Sequence, residues 1–288
     1  PQNPKTPRTE YAYNLEIKRE RMVDDVNSSL PNDLGDLDRQ IFELQNRLRA
    51  DPRSFLPYLQ DMLGRFEGDS LRQPGKTTLR TKEGPAAVNE AIEYLNRADP
   101  VRLLRWSGEL GKAARDHVMD IGPKGLVQHE SSDGTSVKER LKRYGKIVTC
   151  YGENLSFHCE SAIDVILQLL VDDGVPNRGH RENLFNDDFR VCGMYSGSHK
   201  DFDQMTTIDY AAALVKAGDD DPIERQMDLF LKEEVTFDDM PMDIRGWKQN
   251  SKIQVQGHRA IKTVTRTCRL KDGTEKVLTV TAEREFDL

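Results

Sequence analysis

GLVQHESSDGTS (125–136), CYGENLSF (150–157) and LLVDDGVPNRGHRENLFNDDFRVCGMYSG (169–197) decide how this chain is read. They set two histidines, His129 and His180, and three carboxylates, Glu153, Asp172 and Asp173, among short apolar segments and turn residues. Imidazole and carboxylate are the side chains that move protons near neutral pH and bind first-row divalent metals. A fold that gathers them has a site. One that scatters them has only capped turns.

Outward from this stretch the pattern is mixed α and β. In DLDRQIFELQNRLRADPRSFLPYLQDML (36–63), Leu37, Ile41, Leu44 and Leu48 follow helical spacing. Asp51-Pro52 ends that helix, because proline disfavours α conformation in the residue before it, and a second helix starts within Arg53-Ser54-Phe55. Residues 64–84, rich in glycine and proline, read as a loop or insertion. Helical patterning resumes over 86–99 and 108–122, and ESAIDVILQLLVDD (160–173) is apolar almost all round, as a buried central helix is. RVCGMYSG (190–197) and MTTIDYAAAL (205–214) read as strands.

These residues carry a resemblance. The helix start in LQNRLRADP (44–52), His129 with Ser131 and Ser132, Gly-Glu-Asn at 152–154 and Gly-His-Arg at 179–181 follow one another in order, with Asn183, Phe189 and Gly193 behind them. The series resembles the CAP superfamily, the SCP/TAPS domain of cysteine-rich secretory proteins, antigen 5 and class 1 pathogenesis-related proteins. It lies nearest the short, cysteine-poor members and covers about residues 38–216. The resemblance implies an α-β-α sandwich with a central cleft, where two histidines and two acids can hold a divalent ion, often zinc. Carried over, the set is His129, Glu153, His180 and, for the second acid, Asp172. Many members place that acid in a Trp-Tyr-x-Glu segment; here Leu169-Leu170-Val171-Asp172 lacks both aromatics and ends one methylene short. The family implies no single reaction, and many members bind rather than catalyse, so no catalytic residue is assigned.

Two neutral imidazoles and a carboxylate suit Zn²⁺ and leave one position for water. Histidine–carboxylate pairs serve equally as hydrogen-bonded struts. No Ser-His-Asp or Cys-His order marks a nucleophile, and Ser131 and Ser132 read as turn and cap residues. Asn154 is expected to fix a turn by bonding backbone and Arg181 to pair with a carboxylate. Asn46 and Arg49 are expected to clamp a common neighbour from one helix face. Trp106 is expected to anchor the helix after it, and Trp247 an interface.

At 288 residues and 36% apolar content the chain can bury a substantial core, and its net charge of −7 disfavours nucleic acid and anionic membranes. No apolar run approaches the ~20 residues of a membrane span, and the first thirty residues lack the core of a secretory signal. A start at Pro1 leaves a removed signal open. Four cysteines without a CxxC pair read as reduced core residues, which favours an intracellular protein.

Three parts are expected: a polar arm (1–37), the CAP domain (38–216) and an extension (217–288). In the extension, AGDDDP precedes a short helix candidate (223–234), and alternating runs flank a turn at Asp272-Gly273, the mark of a β-hairpin. A lone hairpin is marginal, so this one must lean on the domain or on another molecule. The expected role is a non-catalytic binding or scaffold module docked by both extensions onto protein partners, with a cytoskeletal or ciliary assembly as the candidate. The alternative is a zinc hydrolase, or a lipid or sterol binder, using the His129–Glu153–His180 cleft.

Overall fold

Four strands form the central sheet in the order β4 (Arg105–Trp106), β6 (Val191–His199), β7 (Asp203–Val215), β5 (Lys146–Phe157). The pair β4–β6 is parallel and the others antiparallel. A computed structural model describes residues 21–73, 75, 77–216, 218–219, 226, 230, 237, 244–256 and 259–285. Strand alternation sorts the side chains into two layers. Cys192, Met194, Ile208 and Tyr210 face a core built with α1 (Asp36–Ala50), α2 (Leu56–Gly64), α3 (Pro85–Arg97), α6 (Ala162–Val171) and α7 (Gly179–Phe185). Ala211 and Val191 face the opposite side, against Leu110 and Ala113 of α4 (Gly108–Ile121) and Leu141 of α5 (Val137–Lys142). The chain is an α-β-α sandwich.

Local chemistry explains the helices that matter. In α1, Ile41, Phe42 and Leu48 are buried at helical spacing, and Pro52 opens a 3₁₀ turn as the helix stops. Asn46 grips Leu104 at both backbone atoms (2.9 and 2.8 Å). The fully buried Arg49 donates to the carbonyls of Arg102, Leu184 and Asn186 at 2.6, 2.6 and 3.0 Å, so the two side chains clamp different residues rather than the expected common neighbour. Helix α6 is buried over most of its length, and Ser161 caps its start by accepting from the Asp164 N–H. It ends on Asp172 in the left-handed region (φ 56°), which turns the chain towards α7. Trp106 packs edge-on against Phe42.

Three segments differ from the sequence reading. Residues 66–80 are no bare loop but hold three short antiparallel strands: β1 (Phe66–Glu67), β2 (Ser70–Leu71) and β3 (Leu79–Arg80). The polar arm, expected as extended apart from a charged helix-like piece at 14–26 (NLEIKRERMVDDV), is helical over 21–27 and docks on the domain: Leu30 is buried, and Val26 and Leu34 pack on the main core. The hairpin at Asp272-Gly273 gains a third strand. Here β8 (Ile244–Gln256), β9 (Arg259–Leu270) and β10 (Glu275–Glu285) form a separate antiparallel sheet. That sheet leans on the domain, where Ala260, Ile253 and Ala282 cluster with Phe230, Val148 and Val215, and Arg102 donates to Glu285 at 2.6 Å. The 223–234 helix candidate lies outside the described residues except Gln226 and Phe230, and residues 1–20 lie outside them too.

Candidate functional site

Strand β5 is an edge of the central sheet, and the site is built along it. Glu153 points into the layer beneath α4 and α5, and Asn154, its neighbour, points to the other side, where α7 lies. The Asn154 amide donates to the carbonyl of His180 (3.0 Å) and accepts from Asn183 (2.8 Å). Asn183 also donates to the Glu153 carbonyl at 3.2 Å. So Asn154 does bond backbone, but it fixes no turn: it sits within β5 and reaches across to α7, pinning that helix to the strand. Gly152 permits the approach: a Cβ there would sit 2.7 Å from the Phe189 ring.

The four residues of the expected set come together as two pairs. Nδ1 of His129 lies 2.7 Å from Oε1 of Glu153. Nδ1 of His180 lies 2.6 Å from Oδ1 of Asp172, whose Oδ2 accepts the backbone N–H of His180 at 2.9 Å. Both carboxylates are buried; the histidine side chains remain 48% and 25% exposed, which leaves their outer edges reachable. Carboxylates accept, so each ring donates through Nδ1 and turns its Nε2 edge outwards. Neither Nε2 has a hydrogen-bond partner among the described residues.

Glu153 is held ionised from behind. Burial would raise its carboxyl, but the His129 hydrogen bond and the positive charge of Arg140 outweigh burial and hold it below the ordinary carboxylate range. Arg140 is fully buried, bonds Oε2 of Glu153, and also donates to the His129 carbonyl at 3.2 Å. The hydrogen bond to Glu153 in turn raises His129 above the ordinary histidine value. Sequence reasoning missed Arg140, one of several cations in a charged helix. Asp209 it could have found, since a lone carboxylate in the apolar run MTTIDYAAAL has no bland surface role. Asp209 is fully buried directly across from Glu153.

Both imidazoles line one cavity of about 550 Å³. Apolar side chains make most of the wall: Met62, Phe66, Leu71 and Leu79 from the 62–80 region, with Leu155, Leu167 and Val171 opposite. Asp173 closes one end by accepting from the backbone N–H groups of Lys82 and Glu83 (2.7 and 2.8 Å). Glu83 accepts from Gly174 N–H at 2.6 Å and from Arg178. Arg181 pairs with Glu90 (2.9 Å), as expected, and satisfies the carbonyls of Leu170 and Val171.

The donor set does not make a resident zinc site. A structural zinc takes four protein ligands and a catalytic one three. Here each carboxylate is spent on Nδ1 of its own histidine, and Glu153 also on Arg140, which leaves two ring nitrogens. Among the described residues no group of three or more His, Cys, Asp or Glu side chains is arranged to hold a metal. The carboxylates act as orienting partners behind the rings. His117, outside the expected set, is buried and bonds the Gln128 carbonyl at 3.0 Å. No described cysteine forms a disulfide. No helix of the described residues is long and apolar enough to cross a membrane.

The chain is similar to several solved structures. An outer surface protein from Borrelia burgdorferi is 21% identical, over 44% of this chain and 86% of that one, with a TM-score of 0.34. An extracellular protein containing an SCP domain from Bacillus anthracis str. Ames is 21% identical, over 39% of this chain and 35% of that one, with a TM-score of 0.32. BmVAL-1 is 14% identical, over 65% and 84%, with a TM-score of 0.29. No curated protein sequence matches the chain. The profile of the cysteine-rich secretory protein family, CAP, matches residues 42–210, more than half of the chain, and the chain belongs to that family.

Proposed function

We propose that this CAP domain is a non-catalytic binding module whose His129–His180 cleft takes a small amphipathic ligand. One observation carries the reading: two outward-turned imidazole edges share a cavity whose walls are otherwise mostly apolar. Ligand sites are typically apolar pockets of ~300–1,000 Å³ with a few placed polar groups, and this one has that composition. The polar head of the ligand meets the two Nε2 edges; its apolar body lies along Met62, Phe66, Leu167 and Val171. Among the described residues no hydroxyl or thiol is bonded to either imidazole; their partners are carboxylates.

The test is titration with a fluorescent long-chain fatty acid such as cis-parinaric acid. Wild type is expected to bind one equivalent. Val127→Asp and Leu79→Asp alter exposed residues on the cavity wall (58% and 44% accessible), so they spare the fold and should weaken binding at least tenfold. Unchanged binding in both variants, or none in wild type, rejects the reading.

A second reading, docking onto a protein partner through the extension, is favoured by the open edges of β8 and β10. Each is hydrogen-bonded on one side only within the described sheet, and 277–282 (VLTVTA) carries no charge to blunt the edge. An intracellular scaffold of this kind would lose co-purifying partners on deletion of 244–285 while its CAP domain stayed folded; retained association would count against it.

A further inference from the structure

Behind His129, between α4 and the sheet, lies a second polar region that the cleft does not use. His117 Nδ1, Arg140 Nε, Thr207 Oγ1 and both carboxyl oxygens of Asp209 are buried there, with no hydrogen-bond partner among the described residues beyond the contact of Asp209 with Glu153. They are not scattered. Asp209 stands opposite Glu153 in the β5–β7 register, and Thr207 is two residues along β7 on the same face. Arg140 is bonded to Glu153, and His117 on α4 feels the charges of Glu153, Arg140 and His129. Glu153 is therefore the hub of the group.

Apart from the contact of Asp209 with Glu153, the donors and acceptors are complementary yet unjoined. His117 Nε2 faces the Gln128 carbonyl, which only accepts, so Nε2 carries the ring hydrogen and Nδ1 is a bare acceptor. Arg140 Nε is a pure donor. Thr207 Oγ1 can do either. Burial, the charge of Glu153 and a hydrogen bond to Glu153 push the Asp209 carboxyl well above its ordinary value, which favours the protonated form that donates to Glu153 and keeps acceptor oxygens for another partner. Buried polar groups are paired in native proteins as a rule, and where side chains do not reach each other, internal water with two to four bonds joins them.

We propose that this region between α4 and the central sheet binds internal water that bridges His117, Arg140 and Asp209. Water donates to His117 Nδ1 and to an Asp209 oxygen and accepts from Arg140 Nε; a second molecule reaches Thr207. The Glu153–His129 pair is thereby wet on its inner side as well as at the cleft. The site is independent of what the cleft binds.

A crystal structure at a resolution that orders water tests this directly. At least one water is expected within about 3.2 Å of both His117 Nδ1 and either Arg140 Nε or the Asp209 carboxyl. Direct side-chain contacts among these groups, or the same groups dry, overturn the proposal. As a second measurement, oxygen-17 magnetic relaxation dispersion should count fewer long-lived waters in His117→Phe than in wild type. An equal count overturns it as well, and because wild type is measured in both experiments, a misfolded variant does not decide the matter.

Discussion

One carboxylate, Asp172, holds His180 twice: at the ring, where Oδ1 lies 2.6 Å from Nδ1, and at the backbone, where Oδ2 accepts the N–H at 2.9 Å. The helix that carries His180 and the direction of its ring are therefore set by the residue that ends the preceding helix. Asp172→Ala removes both bonds and is expected to cost about 1–3 kcal/mol in urea unfolding, while freeing the ring to rotate. Binding of the amphipathic probe should weaken more than in Asp172→Asn, which keeps one acceptor oxygen. Equal losses in the two variants would contradict this orienting role.

Arg140 and Glu153 are both buried and paired with each other. Arg140→Met strands the carboxylate, and breaking a buried pair by removing one partner costs about 3–5 kcal/mol. The double variant Arg140→Met/Glu153→Leu should recover much of that loss. A double-mutant cycle with no coupling would show that the pair does not act as a unit.

How much of this was legible in the sequence follows from the range of the interactions. Helices α1, α4 and α6 and the strands around Cys192 and Ile208 could be read because apolar periodicity is a local property. So could the pairing of residues near His129 and His180, since the resemblance fixes their order. The partnership of Arg140 with Glu153 could not: it is a long-range burial, and Arg140 looks like any cation of 137–142. The short strands of 66–80 were hidden because two-residue strands have no measurable period. The resemblance implies Asp172 as a metal ligand; its hydrogen bonds to the Nδ1 and backbone N–H of His180 are set by a turn geometry that no motif shows.

Asp38 gives a pH signature. Burial, only partly offset by hydrogen bonds from Ser196, raises its carboxyl to about 6. The unfolded chain then loses this proton at lower pH than the folded one, so stability falls as pH rises from about 4 to about 6. A shift of roughly two units corresponds to about 3 kcal/mol. Asp38→Asn should be more stable than wild type at pH 7 and indistinguishable near pH 3.5, by denaturant unfolding at both. A difference that grows towards acid pH has the wrong sign.

Reciprocal bonds between 82–84 and 172–178 join the two walls of the cleft: Asp173 caps Lys82 and Glu83, while Glu83 accepts from Gly174 and Arg178. Asp173→Ala should loosen this junction and raise the probe's dissociation rate several-fold in stopped-flow displacement, with a smaller change in association. An unchanged dissociation rate would show that the junction does not govern the cleft.

The central claim, that two imidazoles from opposite layers serve one ligand, is tested most directly by nitrogen-15 NMR of the histidine side chains during titration with the fatty-acid probe. The Nε2 resonances of His129 and His180 are expected to shift together with one midpoint, while buried His117 stays in place. Movement of only one of the two, or of neither while the probe binds, would contradict the account.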